Sequence, residues 1–365
     1  MLGRAATVRA MPSVIPRAAL SALPDYAAGR PPQPVEGLEA FKIRHLLLYS
    51  APAARRNTVV DVTGLEDVKL RALDAHISQH PDVDMVSFTG GLVTGKIIAK
   101  NAAETVKRTA LELGGKNPNV IFADADFDVA VDNALNGAFF HSGQVCSAGS
   151  RIVVEESLHD KFVDALVERA NKIKIGGPTD DKAETGPLIS AEHREKVAAY
   201  VDKAREQGAK ILTGGRAATS EDTNGQHGTG TTDLGAGIYY LPTIIDGATR
   251  EMDCVHDEAF GPTVTIETFT TEEEAIEIAN DTEYGLAGAV YTSDAGRAER
   301  VARALRHGTI WINDFHPYLP QAEWGGYKQS GNGRELGPTG LAEYQEHKHV
   351  YQNLSPAAWD QFGLQ

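Results

Sequence analysis

The chain has 365 residues, 42% of them hydrophobic, and its 35 basic and 50 acidic side chains give a formal charge of −15. That length is enough to bury a sizeable core and to form two or more domains. The negative balance repels polyanions, which argues against nucleic acid and anionic membranes and leaves small molecules as the expected partners.

No apolar run approaches the roughly 18–20 residues that span a bilayer, and no secretory h-region stands near the start. Two cysteines, Cys146 and Cys254, are too few for a secreted disulfide framework, so a reducing cytoplasm is the expected setting. The first 34 residues carry Arg4, Arg9, Arg17 and Arg30 against Asp25 alone, a bias shared with transit peptides. However, Pro12, Pro16, Pro24, Pro31, Pro32 and Pro34 break any long amphipathic helix there, so a segment without stable structure or an incorrectly assigned start accounts for it as well.

From Met85 onward short β-branched runs alternate with helical patterns, the mark of an α/β fold with a largely parallel sheet. Met85–Phe88 is predicted as a strand, 90–95 as a turn, and a helix is expected from Lys96. Thr109–Leu113 alternates as a strand and Asn119–Phe122 is the next. Asp126 then caps a helix whose Ala130, Val131, Ala134, Leu135 and Ala138 share one side, and this helix delivers the chain to Cys146. A strand at Ile152–Val154 leads to a helix with Phe162, Val163, Leu166, Val167 and Ala170 on one face. Beyond it come a helix near 191–205, a strand at 210–212, an extended apolar run at 239–245, a helix at 271–280, a strand at 287–291, a helix at 297–305 and a strand at 309–312. The stretch 217–237, rich in Gly, Thr and Asp, is expected to be a surface insertion.

The chemistry-bearing residues stand in the connections. Cys146 lies between Gly143 and Gly149, where the backbone is free to aim an N–H at a developing oxyanion, and a thiolate is the side chain best suited to attack a carbonyl near neutral pH. Cys254, in an apolar slot, is expected to be packing. Glu112 ends an apolar strand before two glycines; desolvation there would raise its pKa toward that of a general base, while an exposed strand-end glutamate would have no such role. Gly90 and Gly95 bracket a strand-to-helix turn whose N–H groups suit a phosphate, or which is merely tight.

Leu111-Glu112-Leu113-Gly114-Gly115-Lys116 and Gly143-Gln144-Val145-Cys146-Ser147-Ala148-Gly149-Ser150-Arg151 resemble the base and nucleophile motifs of the NAD(P)-dependent aldehyde dehydrogenase superfamily, with resemblance dense from about residue 77 onward. The resemblance implies an α/β aldehyde dehydrogenase-like fold: an incomplete Rossmann-type cofactor domain, an α/β catalytic domain and a C-terminal oligomerisation arm. The expected boundaries are 1–57 for a divergent or disordered segment, 58–113 for the cofactor-domain remnant, 114–328 for the catalytic domain and 329–365 for the closing segment and arm. It further implies Cys146 as nucleophile and Glu112 as water-activating base, with Gly90, Gly95 and Leu113 at the cofactor. Glu258-Ala259-Phe260-Gly261-Pro262 matches a motif whose Glu holds the nicotinamide ribose and whose Phe packs by the nicotinamide; a carboxylate offers two acceptors to a diol, and an aromatic face orients a planar ring.

Phe139-Phe140-His141, Trp311–Tyr318 and Trp324–Gly331 resemble the betaine-aldehyde branch, which implies a substrate pocket with Phe140, Asn313, Asp314 and Phe315. Aromatic faces near a carboxylate suit a trimethylammonium group, at roughly 0.5–2 kcal/mol per ring. The expected cofactor is NAD, with NADP left open; no metal is expected, and the expected assembly is a homodimer or homotetramer. Two family motifs are not found in this sequence: Pro-Trp-Asn, whose Asn completes the oxyanion hole, and Lys-Pro-Ser-Glu, which holds the adenosine ribose. Thr58–Gly64 only faintly resembles the strand after the second. Their absence keeps two alternatives open, a cofactor-deficient homologue serving as a non-catalytic subunit and a cofactor-independent thiol esterase.

Overall fold

A computed structural model describes residues 5–9 (backbone), 78–79 and 81–357. The expectations for the remainder of 1–57 and for the strand at 58–64 therefore lie outside the described residues. Residues 5–9 do form a strand, β1 (Ala5–Arg9), parallel to β2 (Met85–Thr89). After β2, helix α1 (Leu92–Ala103) starts four residues earlier than expected. Gly91 is extended and serves as its N-cap, and Gly95 sits inside the helix because the Leu113 side chain fills the space its Cβ would occupy, 2.6 Å away. Strand β3 (Arg108–Glu112) returns parallel to β2. Ile98 of the helix packs on Val86, Phe88, Leu111 and Leu113, a small apolar core beneath this sheet.

The chain then builds a larger sheet. In order come β4 (Pro118–Ile121), α2 (Phe127–Phe139), β5 (Arg151–Glu155), α3 (His159–Ala170), α4 (Ala191–Glu206), β6 (Lys210–Thr213), β7 (Thr243–Asp246), α5 (Asp253–His256) and β8 (Thr263–Phe269). They are followed by α6 (Glu272–Asn280), β9 (Ala287–Tyr291), α7 (Ala295–Ala304) and β10 (Thr309–Ile312). The spatial order is β10-β9-β4-β5-β8-β7-β6, parallel except where β6 meets β7. Period-two alternation splits this sheet between two cores. Ile152 and Val154 face α2 and α3, while Val153 faces the layer of α6 and α7 through Ala275, Ile278 and Val301. Side-chain caps start the helices where the sequence places them: Asp126 accepts from Val129 N–H, and Thr271 from Glu274 N–H.

Two further features position the site. Strand β11 (Gly331–Asn332) crosses back to the smaller sheet and pairs antiparallel with β3, Gly331 opposite Glu112, ahead of the short helix α8 (Gly337–Ala342). The stretch 217–237 is more than a surface loop: Leu234 and Ala218 are buried with Ile175, Tyr239 and Leu241, and Thr219 and Asp222 form a capping box. Ala217, Ala218, Leu234 and Ala236, spread among many polar residues, give no periodic signal, which is why sequence alone misses this satellite core. Among the described residues no helix is long and apolar enough to cross a membrane.

Candidate active site

Helix α2 ends against the nucleophile loop, whose backbone takes the left-handed region at three successive residues: His141, Ser142 and Gly143, φ 53°, 56° and 68°. Gly143 is obligatory, since a Cβ there would lie 2.1 Å from the Gly261 carbonyl oxygen. The turn is clamped from outside. Ser142 N–H donates to Thr185 Oγ1 at 2.9 Å, Ser142 Oγ to the Gly186 carbonyl at 2.6 Å, and Gln144 Oε1 accepts Ile189 N–H at 2.9 Å. From inside, the fully buried Asn117 donates through Nδ2 to the carbonyls of Cys146 (2.9 Å) and Ala148 (2.8 Å) and accepts Ala287 N–H (3.0 Å). Asn117 was not anticipated, though it directly follows the Gly-Gly-Lys run, before a proline.

The Cys146 thiol faces two opposed influences. Burial, then the carboxylates of Glu258 and Glu112, push it up to about 12, while the backbone N–H groups of Ser147 and Cys146 itself pull it down. The resting thiol is therefore protonated near neutral pH. Cys254 is fully buried.

Glu112 is the last residue of β3 and is buried. Neither carboxylate oxygen has a protein hydrogen bond among the described residues, and Oε1 lies 2.9 Å from where a Gly325 Cβ would stand. Burial raises its pKa to about 8, nearby Glu335 adds to this and Arg334 opposes it. Glu335 is held by the Ser87 hydroxyl at 2.7 Å. Glu335 carries no signal in the sequence, because 223 residues separate it from Glu112 and the pairing of β11 with β3 brings it back.

The expected cofactor residues gather on the other side. Gly90 N–H bonds the Glu112 carbonyl at 3.0 Å, which fixes the β2–α1 turn. Among the described residues a Cβ at Gly91 would meet nothing within 4 Å, and the first turn of α1 holds no acid to compete for its N–H groups. Gly95 and Leu113 pack on each other in the small core. The Glu258 carboxylate lies on the Gly114-Gly115 turn, accepting Gly115 N–H at 3.1 Å; a Cβ on Gly114 would fall 1.9 Å from its Oε2. Burial raises Glu258 to about 7, against the pull of Gly115 N–H and Lys116. Phe260 adopts φ 50°, and its carbonyl meets His193 Nε2 at 2.7 Å.

Above Cys146 stands an aromatic group. Trp311 and Trp324 stack with centroids 6.2 Å apart, Tyr318 meets Trp324 at 4.7 Å, and His316 stacks on Tyr318 at 6.3 Å. The Tyr318 hydroxyl bonds Ser147 Oγ, and the charge of a Cys146 thiolate acts on it. Phe140, more than half exposed, joins through His316 at 6.1 Å. The other expected pocket residues have other engagements. The Asn313 amide pairs with both backbone groups of Thr292 (3.0 and 2.9 Å), Asp314 accepts Phe315 N–H at 2.7 Å, and the Phe315 ring is buried against Trp311 at 4.7 Å. Tyr318 and His316 both contact Ser147, the neighbour of Cys146, and Trp324 packs on the same core as Cys146, links that residue type alone cannot reveal.

Residues 69–350 match the aldehyde dehydrogenase family, and the chain belongs to it. Among its relatives, betaine aldehyde dehydrogenase of Bacillus subtilis (strain 168) is 56% identical over 286 residues, 78% of this chain and 56% of that protein. Peroxisomal aminoaldehyde dehydrogenase 1 of Pisum sativum is 45% identical over 285 residues, 78% and 54%. A crystal structure of betaine aldehyde dehydrogenase from Staphylococcus aureus in complex with NAD+ superposes with a TM-score of 0.74 at 54% identity, covering 79% of this chain and 55% of that one. The chain spans about half the length of the curated relatives it matches.

Proposed function

We propose that this chain oxidises an aldehyde to its carboxylic acid with NAD+ as acceptor, and that the aldehyde is betaine aldehyde, giving glycine betaine. The observation that carries this is the convergence on one thiol: the Glu112 and Glu258 carboxylates both act on Cys146, and the Tyr318 hydroxyl is tied to its neighbour Ser147. The residues present fit the dinucleotide in part. The acid-free first turn of α1 suits a pyrophosphate, and Glu258, braced on a turn where no Cβ fits, suits a ribose diol. NAD+, when bound, supplies the hydride acceptor.

Everything else falls to the chain's own residues. Cys146 Sγ gives its proton to the ionised fraction of Glu112, which returns it to solvent, and bonds the aldehyde carbon, while the Cys146 N–H receives the oxyanion. Once the carbon is oxidised to a thioester on Sγ, Glu112 takes a proton from water, which adds to the carbonyl and releases the acid. With a pKa of about 8, roughly a tenth of Glu112 is ionised at pH 7 and that fraction acts as the base, so the step should speed up as pH rises toward 8. The rings of Tyr318, Trp324 and Trp311 offer faces to a trimethylammonium group at roughly 0.5–2 kcal/mol each, and Phe140, Asn313, Asp314 and Phe315 complete the pocket and its walls. A homodimer or homotetramer is part of the same reading, with the exposed 345–357 segment as its arm.

The test is NAD+ reduction by purified protein given betaine aldehyde, with Cys146→Ala as control. Turnover abolished by the substitution is the expected result. A folded wild-type chain with no turnover refutes the proposal, and aryl-ester hydrolysis by that chain, lost in Cys146→Ala, would favour the thiol esterase.

A further inference from the structure

Lys116 is a fully buried ammonium that the chemistry above does not use. It follows Gly114-Gly115 directly, and its Nζ donates to the Tyr200 hydroxyl at 2.9 Å, with the Tyr200 ring centroid 5.4 Å away. That hydroxyl donates in turn to the Cys254 carbonyl at 2.6 Å. Cys254 lies in α5, and the chain leaving α5 reaches Glu258, whose carboxylate accepts Gly115 N–H at 3.1 Å. The contacts close a ring: Gly115, Lys116, Tyr200 on α4, Cys254, Glu258 and back to Gly115. Burying an ammonium costs far more than burying a methionine of similar length, so a lysine here needs a reason beyond packing.

We propose that Lys116 is a positioning residue of the cofactor site: through Tyr200 it pins the Cys254–Glu258 segment on the Gly114-Gly115 turn, and it sets a positive charge beside the Glu258 carboxylate. The proposal rests on the reading that Glu258 holds a ribose diol. The groups facing Lys116 are Tyr200, Cys254, Arg151, Glu267 and Glu258; burial, opposed in part by the anionic members of this set, lowers its pKa to about 8, so it is charged at pH 7. Glu258, raised by burial to about 7, has Lys116 as its opposing cationic side chain. It also acts on Cys146 and Tyr284. With a pKa of about 7 the Glu258 carboxyl is half ionised at pH 7; without the Lys116 charge it would be mostly protonated there and lose an acceptor for the diol.

The test uses the full chain as wild type, Lys116→Met, Lys116→Arg and Tyr200→Phe. The Glu258 carboxyl is titrated by carbon-13 NMR without cofactor, its signal assigned with Glu258→Gln, and NAD+ affinity is measured by calorimetry from pH 6 to 9. Lys116→Met should move the Glu258 titration up by about one pH unit, which weakens NAD+ binding about five-fold at pH 7 for a group starting near 7. The pH-dependent part of that loss should vanish by pH 9, where Glu258 is ionised in every variant. Lys116→Arg should restore the titration, and Tyr200→Phe, which keeps the charge and cuts the ring, should weaken NAD+ binding at every pH. An unmoved Glu258 titration in folded Lys116→Met overturns the proposal. If that variant does not fold, unchanged NAD+ affinity in Tyr200→Phe overturns it. A wild type that binds no NAD+ defeats the functional reading instead, and leaves the titration to decide the link between Lys116 and Glu258.

Discussion

Asn117→Ala offers the sharpest test of how the nucleophile loop is held. The substitution removes two donated hydrogen bonds, to the Cys146 and Ala148 carbonyls, and one accepted from Ala287 N–H, all from a side chain with no solvent exposure. Alanine replaces none of them; the Ala148 carbonyl still accepts Ser150 N–H at 2.8 Å, but the Cys146 carbonyl and Ala287 N–H lose their partner. At about 1–2 kcal/mol for each of these two groups, the loss comes to about 2–4 kcal/mol. Urea unfolding at pH 7 measures it, with the denaturant slope compared to confirm that the folded state has kept its compactness. Alkylation by iodoacetamide reports the loop directly, because Cys254 is fully buried and contributes little background; freed of its inner clamp, Cys146 should react several-fold faster. Asn117→Asp, which keeps the acceptor for Ala287 but turns a carboxylate toward two carbonyls, should be at least as damaging. A loss below about 1 kcal/mol with unchanged alkylation would refute the argument.

Glu112→Gln should stabilise the protein at alkaline pH. The folded-state pKa of about 8 stands above the ordinary 4.5, so the wild type's stability from this group is full below pH 4.5 and is lost as pH rises through 8. By pH 9 the variant should be the more stable by a few kcal/mol in denaturant titrations, whereas equal stability at pH 5 and 9 would contradict the buried setting. Arg151→Met breaks a fully buried pair in which the guanidinium grips both Glu267 oxygens. It should cost about 3–5 kcal/mol, and Arg151→Met/Glu267→Leu should regain most of that, as chemical denaturation would show. His159 bonds Asp160 at 2.9 Å and Asp246 at 3.0 Å; burial pulls its pKa down, but those bonds outweigh it and the net shift is upward. Its contribution is therefore full below about pH 6.5 and fades as pH rises through the raised value. His159→Ala should cost up to about 1 kcal/mol at pH 5.5 and less at pH 9, and a loss that grows with pH would reverse the assignment.

Local pattern carried much of the fold. The strands at 287–291 and 309–312 lie where β-branched and apolar runs predict them, and Asp126 and Thr271 cap helices because a side-chain oxygen before an amphipathic run has one favourable use there. The base and nucleophile loops were legible because their glycines and polar residues recur in a fixed local order. Where sequence fell short, long-range contact decided. Gly95 is needed inside helix α1 because Leu113, just past the next strand, fills the space a Cβ there would take. Glu335 acts on Glu112 only because β11 pairs with β3, and Asn117 becomes a clamp only when β4, β9 and the Cys146 loop meet around it. Composition and periodicity describe a residue's own neighbourhood along the chain. Burial, charge coupling and the sharing of one amide among three segments arise only between distant segments, and there the fold alone determines which carboxylate is buried with a raised pKa and which asparagine is a strut.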